Sequence, residues 1–146
     1  MPAKFYEQDV RSGLKDKRKL SAFLDAVVAR YRPDVKKAQL TYIFCSDEHL
    51  LQMNRQFLDH DTFTDIITFD LSEEDNKIIG EIYISTDRIA DNAAKYKVPV
   101  ADELHRVIFH GALHLCGFKD KKEADKKVMR QKEDECLAAY KKETDK

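Results

Sequence analysis

His110 and His114 stand four residues apart in the run His-Gly-Ala-Leu-His-Leu-Cys-Gly-Phe-Lys-Asp that ends at Asp120. On a helix, side chains at i and i+4 lie about 40° apart around the axis and roughly 6 Å apart along it. Two imidazoles so placed can reach one metal ion from a single rigid element. The apolar residues Val107, Ile108 and Phe109 before the pair, and Ala112, Leu113 and Leu115 among and after it, predict a buried helix. Gly117 supplies the left-handed residue that commonly ends one. A reversal there swings Asp120 back toward the histidines and completes a set of two nitrogens and one oxygen. Three protein ligands with an open fourth position is the pattern of a catalytic zinc, so one zinc ion per chain is the expectation. The competing reading is two hydrogen-bonded core histidines.

Zinc in such a site lowers the pKa of its water to about 7 and can polarise a phosphoryl oxygen. A two-histidine, one-carboxylate set can also hold Fe(II) for oxygen chemistry. In zinc peptidases of the His-Glu-x-x-His type the residue after the first histidine is the general base. Here it is Gly111, which has no side chain and counts against a peptidase. Glu103 lies two turns before His110 on the same helix face, about 10 Å along the axis. That distance suits an outer carboxylate that orients an imidazole or accepts a proton, or simply one that favours the helix dipole. Arg106, one turn before His110, is placed to hold a scissile phosphate or to pair with Glu103. His105 falls about 140° off the ligand face and reads as a surface or capping residue. His49 reads as helix surface.

The run at 110–120 resembles the signature of the YbeY family, single-strand-specific metallo-endoribonucleases that mature ribosomal RNA. The likeness extends upstream. Asn54 to Phe69, with Asp61 and Thr64-Asp65-Ile66-Ile67-Thr68-Phe69, is similar to that family's Asn…Asp-x-x-Thr-Asp-Val-Leu-Ser-Phe segment. Gly80-Glu81-Ile82-Tyr83-Ile84 is similar to its Gly-Asp-Ile-x-Ile strand, and Glu103 precedes the first histidine by the same seven residues. The resemblance implies cleavage of ribosomal RNA precursors, including the 3′ end of the small-subunit RNA, with the small subunit as partner. It implies His110, His114 and Asp120 as metal ligands. It also places Thr64 and Asp65 beside the cleft, where Asp65 either organises the loop or orients a site residue.

Three departures stand out. Asp120 occupies the place of the family's third histidine, giving a harder and more negative ligand set. Leu58 stands where many members carry an arginine implicated in activity, and Arg55 or His60 are the basic groups near enough in sequence to substitute in binding substrate. Phe63 replaces a proline and reads as core or as a platform for a base. The missing arginine favours a second function class, a ribosome-associated RNA-binding factor with a structural metal.

The elements that must position these groups alternate. Residues 3–10 form an edge strand. Leu20, Phe23, Leu24, Val27, Val28 and Tyr31 repeat with helical period over 16–31. A strand follows over 37–45, then a helix over 47–58 capped by Ser46 or Asp47, with Leu50, Leu51, Met53 and Phe57 inward. Strands at about 64–70 and 77–84 flank the polar turn 73–76 and leave one exposed sheet edge. Helices over 85–97, 100–116 and 121–141 complete the chain, the last with Val128, Met129, Cys136, Leu137 and Tyr140 as its inner stripe. The fold class is therefore α+β: one domain over 1–146, a mixed sheet of about four strands covered by helices. The resemblance adds that the metal-binding helix packs on that sheet, in a metzincin-like manner.

Charge is segregated although the net is only −1. Residues 1–37 carry ten lysines and arginines against five acids, 38–118 six against fourteen, and 119–146 ten against eight. Basic ends around an acidic middle suit a cationic rim about an anionic pocket, or ordinary solvated helix faces. Three unpaired-looking cysteines, Cys45, Cys116 and Cys136, fit a reducing cytoplasm and no disulfide partner, with Cys116 a small buried residue. No apolar run nears 18 residues, so no membrane association is expected.

Overall fold

A computed structural model that describes residues 3–59 and 63–144 contains a helix or strand in each segment that the apolar spacing predicts. Its order is β1 (Ala3–Glu7), α1 (Lys17–Tyr31), β2 (Lys37–Cys45), α2 (Asp47–Phe57), β3 (Ile66–Asp70), β4 (Lys77–Ser85), α3 (Thr86–Tyr96), α4 (Val100–Leu115) and α5 (Glu123–Thr144). The strands form one sheet in the order β1-β2-β4-β3, in which β3 alone runs antiparallel to its neighbour. This is a single α+β domain with a four-stranded mixed sheet and five helices. None of the described helices is long and apolar enough to cross a membrane.

Period-two alternation decides which side of the sheet each residue serves. Leu40, Tyr42 and Phe44 of β2 and Ile78, Ile82 and Ile84 of β4 bury into the main core with α1, α4 and α5. Cys45, Ile67, Phe69 and Tyr83 point the other way, under Leu50 and Met53 of α2. Helices α2 and α3 are each started by a serine, Ser46 and Ser85, whose hydroxyl accepts a bond from the backbone N–H three residues on.

Two contacts fix α4 on the sheet. The buried Tyr42 hydroxyl donates to the Ile108 carbonyl at 2.8 Å, tying β2 to the helix. At Gly111 a Cβ would lie 3.0 Å from Ile82 Cγ2 and 3.3 Å from Ile66 Cδ1, so any larger residue would press on both side chains where the helix backbone approaches β4 and β3. The residue that denies a peptidase its base is thus the one that seats the helix.

Four expectations fail in detail. Phe57 is 58% exposed, stacked edge-on against Phe69, and Asn54 is buried in its place. Phe63 is 54% exposed, with the Arg88 guanidinium 5.3 Å from its ring centre, and is not core. Val128 is exposed rather than inward. His105 is half-buried, 5.0 Å from the Tyr140 ring and 6.3 Å from Phe109, and burial lowers its pKa despite Asp102 nearby. His60 and Asp61 lie outside the described residues.

The cysteines are free and buried. Burial is the main cause that pushes the Cys45 thiol up to about 12 and those of Cys116 and Cys136 up to about 11. Thiolate is the reactive form, so Ellman's reagent at neutral pH should find no thiol in the folded protein and three in denaturant. Prompt reaction of any one without denaturant would show that its packing opens.

Candidate active site

The C-terminus of α4 closes as a Schellman motif. The Phe118 N–H bonds the Leu113 carbonyl at 3.1 Å and the Gly117 N–H bonds that of His114 at 3.0 Å, with Gly117 at φ 110°. This reversal returns the chain along its own helix and brings Asp120 Oδ2 to 3.3 Å from His110 Nε2. His110, His114 and Asp120 line one cavity of about 390 Å³. Its other walls come from Asp65 at the approach to β3, from Asn92 and Tyr96 on α3, and from Arg130 and Glu133 on α5. Strand β3 lies at the edge of the sheet, and its Ile66 and Thr68 line this cavity.

Glu133 is the residue that spacing did not reveal. Its Oε2 accepts from His110 Nδ1 at 2.7 Å, and it is 6% exposed. The signal was present: position 133 falls one turn from both Met129 and Leu137, on the buried stripe of α5, where an acid needs a partner. Glu133 also receives Arg106 Nη1 at 3.3 Å. Arg106 is further paired with Asp134 at 2.8 Å and with Glu103 at 3.9 Å. Arg106 is thus paired with Glu103, as one of its two readings has it, and with two further carboxylates. Its charge is absorbed by three carboxylates.

The protonation tendencies follow from this packing. Burial opposes charge on His110, yet the bond and charge of Glu133, with Asp120 and Asp65 behind it, raise its pKa overall. Burial raises Glu103, and the neighbouring Arg106 offsets only part of the rise. Burial likewise raises Asp65, against a weaker pull from His110. Carboxyl groups held above their ordinary range in a cleft suit proton transfer.

Among the described residues no three histidine, cysteine, aspartate or glutamate side chains converge closely enough to hold a metal ion as they stand. The donor chemistry nevertheless fits one. Glu133 fixes His110 through Nδ1 and directs Nε2 into the cavity, the carboxylate–histidine arrangement that accompanies metal ligation. His114 is exposed on the same wall, and Asp120 faces Nε2 directly. Arg55 is exposed in the last turn of α2 and Leu58 caps that helix, and neither lines the cavity.

Comparison with known proteins agrees along nearly the whole chain. The family model described as Endoribonuclease YbeY matches residues 6–141. A Cytophaga hutchinsonii protein named Endoribonuclease YbeY is 49% identical over 137 residues, 94% of either chain. One of the same name from Parabacteroides distasonis is 42% identical over 138 residues, covering 94% of this chain and 95% of its own. Among solved structures, the solution structure of a Thermotoga maritima protein superposes with a TM-score of 0.64 at 25% identity, covering 97% of this chain and 90% of that one.

Proposed function

The chain belongs to the YbeY endoribonuclease family, and on that premise we propose that it is a metal-dependent endoribonuclease cutting single-stranded ribosomal RNA precursors. One observation carries the reading. His110 is oriented by Glu133 on one nitrogen and faces Asp120 with the other, beside His114 in a single cavity. His110, His114 and Asp120 are the proposed ligands of one zinc ion, on a helix packed against the sheet as in metzincins. When bound, the ion supplies an acidified water and a positive charge for a phosphoryl oxygen. The family's third histidine is replaced by Asp120, so the ligand set carries one negative charge.

The remaining roles belong to the chain. Glu133 holds His110 Nδ1, and His110 must release its Nε2 proton before that nitrogen can ligate. Glu103 and Asp65, kept basic by burial, are the groups placed to take a proton from attacking water and return it to the leaving oxygen. Arg106 braces Glu103 and Glu133 rather than meeting substrate. The small ribosomal subunit and its RNA, in the cytoplasm, are the proposed setting.

Metal analysis with cleavage of a defined single-stranded RNA, on wild-type protein and Asp120→Ala, tests this. About one zinc per chain, lost together with cleavage in the variant, is expected. Zinc retained with no cleavage by either protein would leave an RNA-binding maturation factor. Glu133→Gln should weaken metal affinity by about 10- to 100-fold, read by competition with a chelating dye. Unchanged affinity would remove Glu133 from the site.

A further inference from the structure

The cavity is acidic, and RNA brings more negative charge to it. Asp65, Glu103, Asp120 and Glu133 line it against two guanidiniums, those of Arg106 and Arg130. Arg106 is 17% exposed and held by three carboxylates, so it offers no free face to a phosphate. Arg130 differs. It is 56% exposed, and its one ion pair among the described residues, to Glu133 Oε1, spans 4.0 Å. Tyr96 meanwhile presents a ring 51% exposed at the same cavity, next to Asn92 one turn before it. They enter from α5 and α3, two helices that both pack against α4.

We propose that Arg130 and Tyr96 form a nucleotide clamp, Arg130 binding a backbone phosphate and Tyr96 stacking on an adjacent base. This rests on the ribonuclease reading above. A guanidinium forks onto two phosphate oxygens, and an exposed phenol ring stacks on any base without demanding its identity. The pair therefore grips RNA with little sequence preference and favours unpaired bases, since a base within a duplex has no free face. It also supplies a cation at the cleft of a chain in which Leu58 stands at the end of α2, away from the cavity.

Steady-state cleavage of a short single-stranded RNA at several salt concentrations tests the clamp in the metal-loaded protein. Each phosphate contact to a single strand adds about 0.7 to the steepness of log affinity against log salt. Arg130→Gln is expected to raise KM and to flatten the salt dependence of kcat/KM by about 0.7, with kcat little changed. Arg130→Lys should restore the steepness, because a lysine keeps the charge. Tyr96→Ala should raise KM about 5- to 150-fold, corresponding to the loss of one stacked base, and Tyr96→Phe should not. Wild-type protein that cuts RNA, with Arg130→Gln showing an unchanged salt slope or Tyr96→Ala an unchanged KM, overturns the clamp and leaves the ribonuclease reading intact. Metal-loaded wild-type protein that cuts no RNA overturns both.

Discussion

His114→Ala is expected to lose RNA cleavage by about a thousandfold or more, roughly 4 kcal/mol in the barrier, and to lose its metal with it. The variant should nonetheless melt close to wild type in the metal-free state. His114 is exposed, and among the described residues its ring makes no hydrogen bond or ion pair, so truncation opens no cavity and orphans no partner. The loss would then be chemical, through one missing nitrogen. Zinc content, cleavage rate and metal-free melting temperature, measured together, check it. Cleavage persisting in zinc-free His114→Ala would sink the metal mechanism.

Phe109→Ala should do the reverse, removing stability. Phe109 is fully buried one residue before His110, 5.3 Å from the Phe23 ring and 5.9 Å from that of Tyr140. Its ring contacts join α1, α4 and α5 at one point of the core. Truncating such a phenylalanine costs about 3–5 kcal/mol, which for a domain of this size lowers Tm by roughly 10–20 °C. Urea unfolding monitored by circular dichroism measures it. A change below about 1 kcal/mol would mean that this cluster collapses around the hole far better than well-packed cores do.

Much of this was legible because strong periodicity and local chemistry agreed. The four apolar residues Leu20, Phe23, Leu24 and Val27 could only serve one helix face, and α1 lies there. Gly117 was readable as a helix stop because few residues tolerate φ 110°. The inward reading of Phe57 and the core reading of Phe63 fail for a common reason: hydrophobicity says what burial would gain, not whether a partner element covers the site. Phe57 sits in the last turn of α2 and meets Phe69 edge-on, and Phe63 packs against a guanidinium instead of a core. Glu133 required knowledge of which face of α5 meets α4, a tertiary fact that the stripe of Met129, Cys136 and Leu137 carries only once an acid on it is taken seriously.

The bond from His110 to Glu133 crosses 23 residues of sequence. During synthesis the two histidines, their helix and the whole sheet leave the ribosome before α5 does, and a domain condenses only when its parts are available. Until then His110 has no partner for Nδ1, Arg106 lacks two of its three carboxylates, and Arg130 is absent from the cleft. Helix α5 therefore completes the site as well as covering the core. Every group it supplies to the cleft is made after the histidines that it positions.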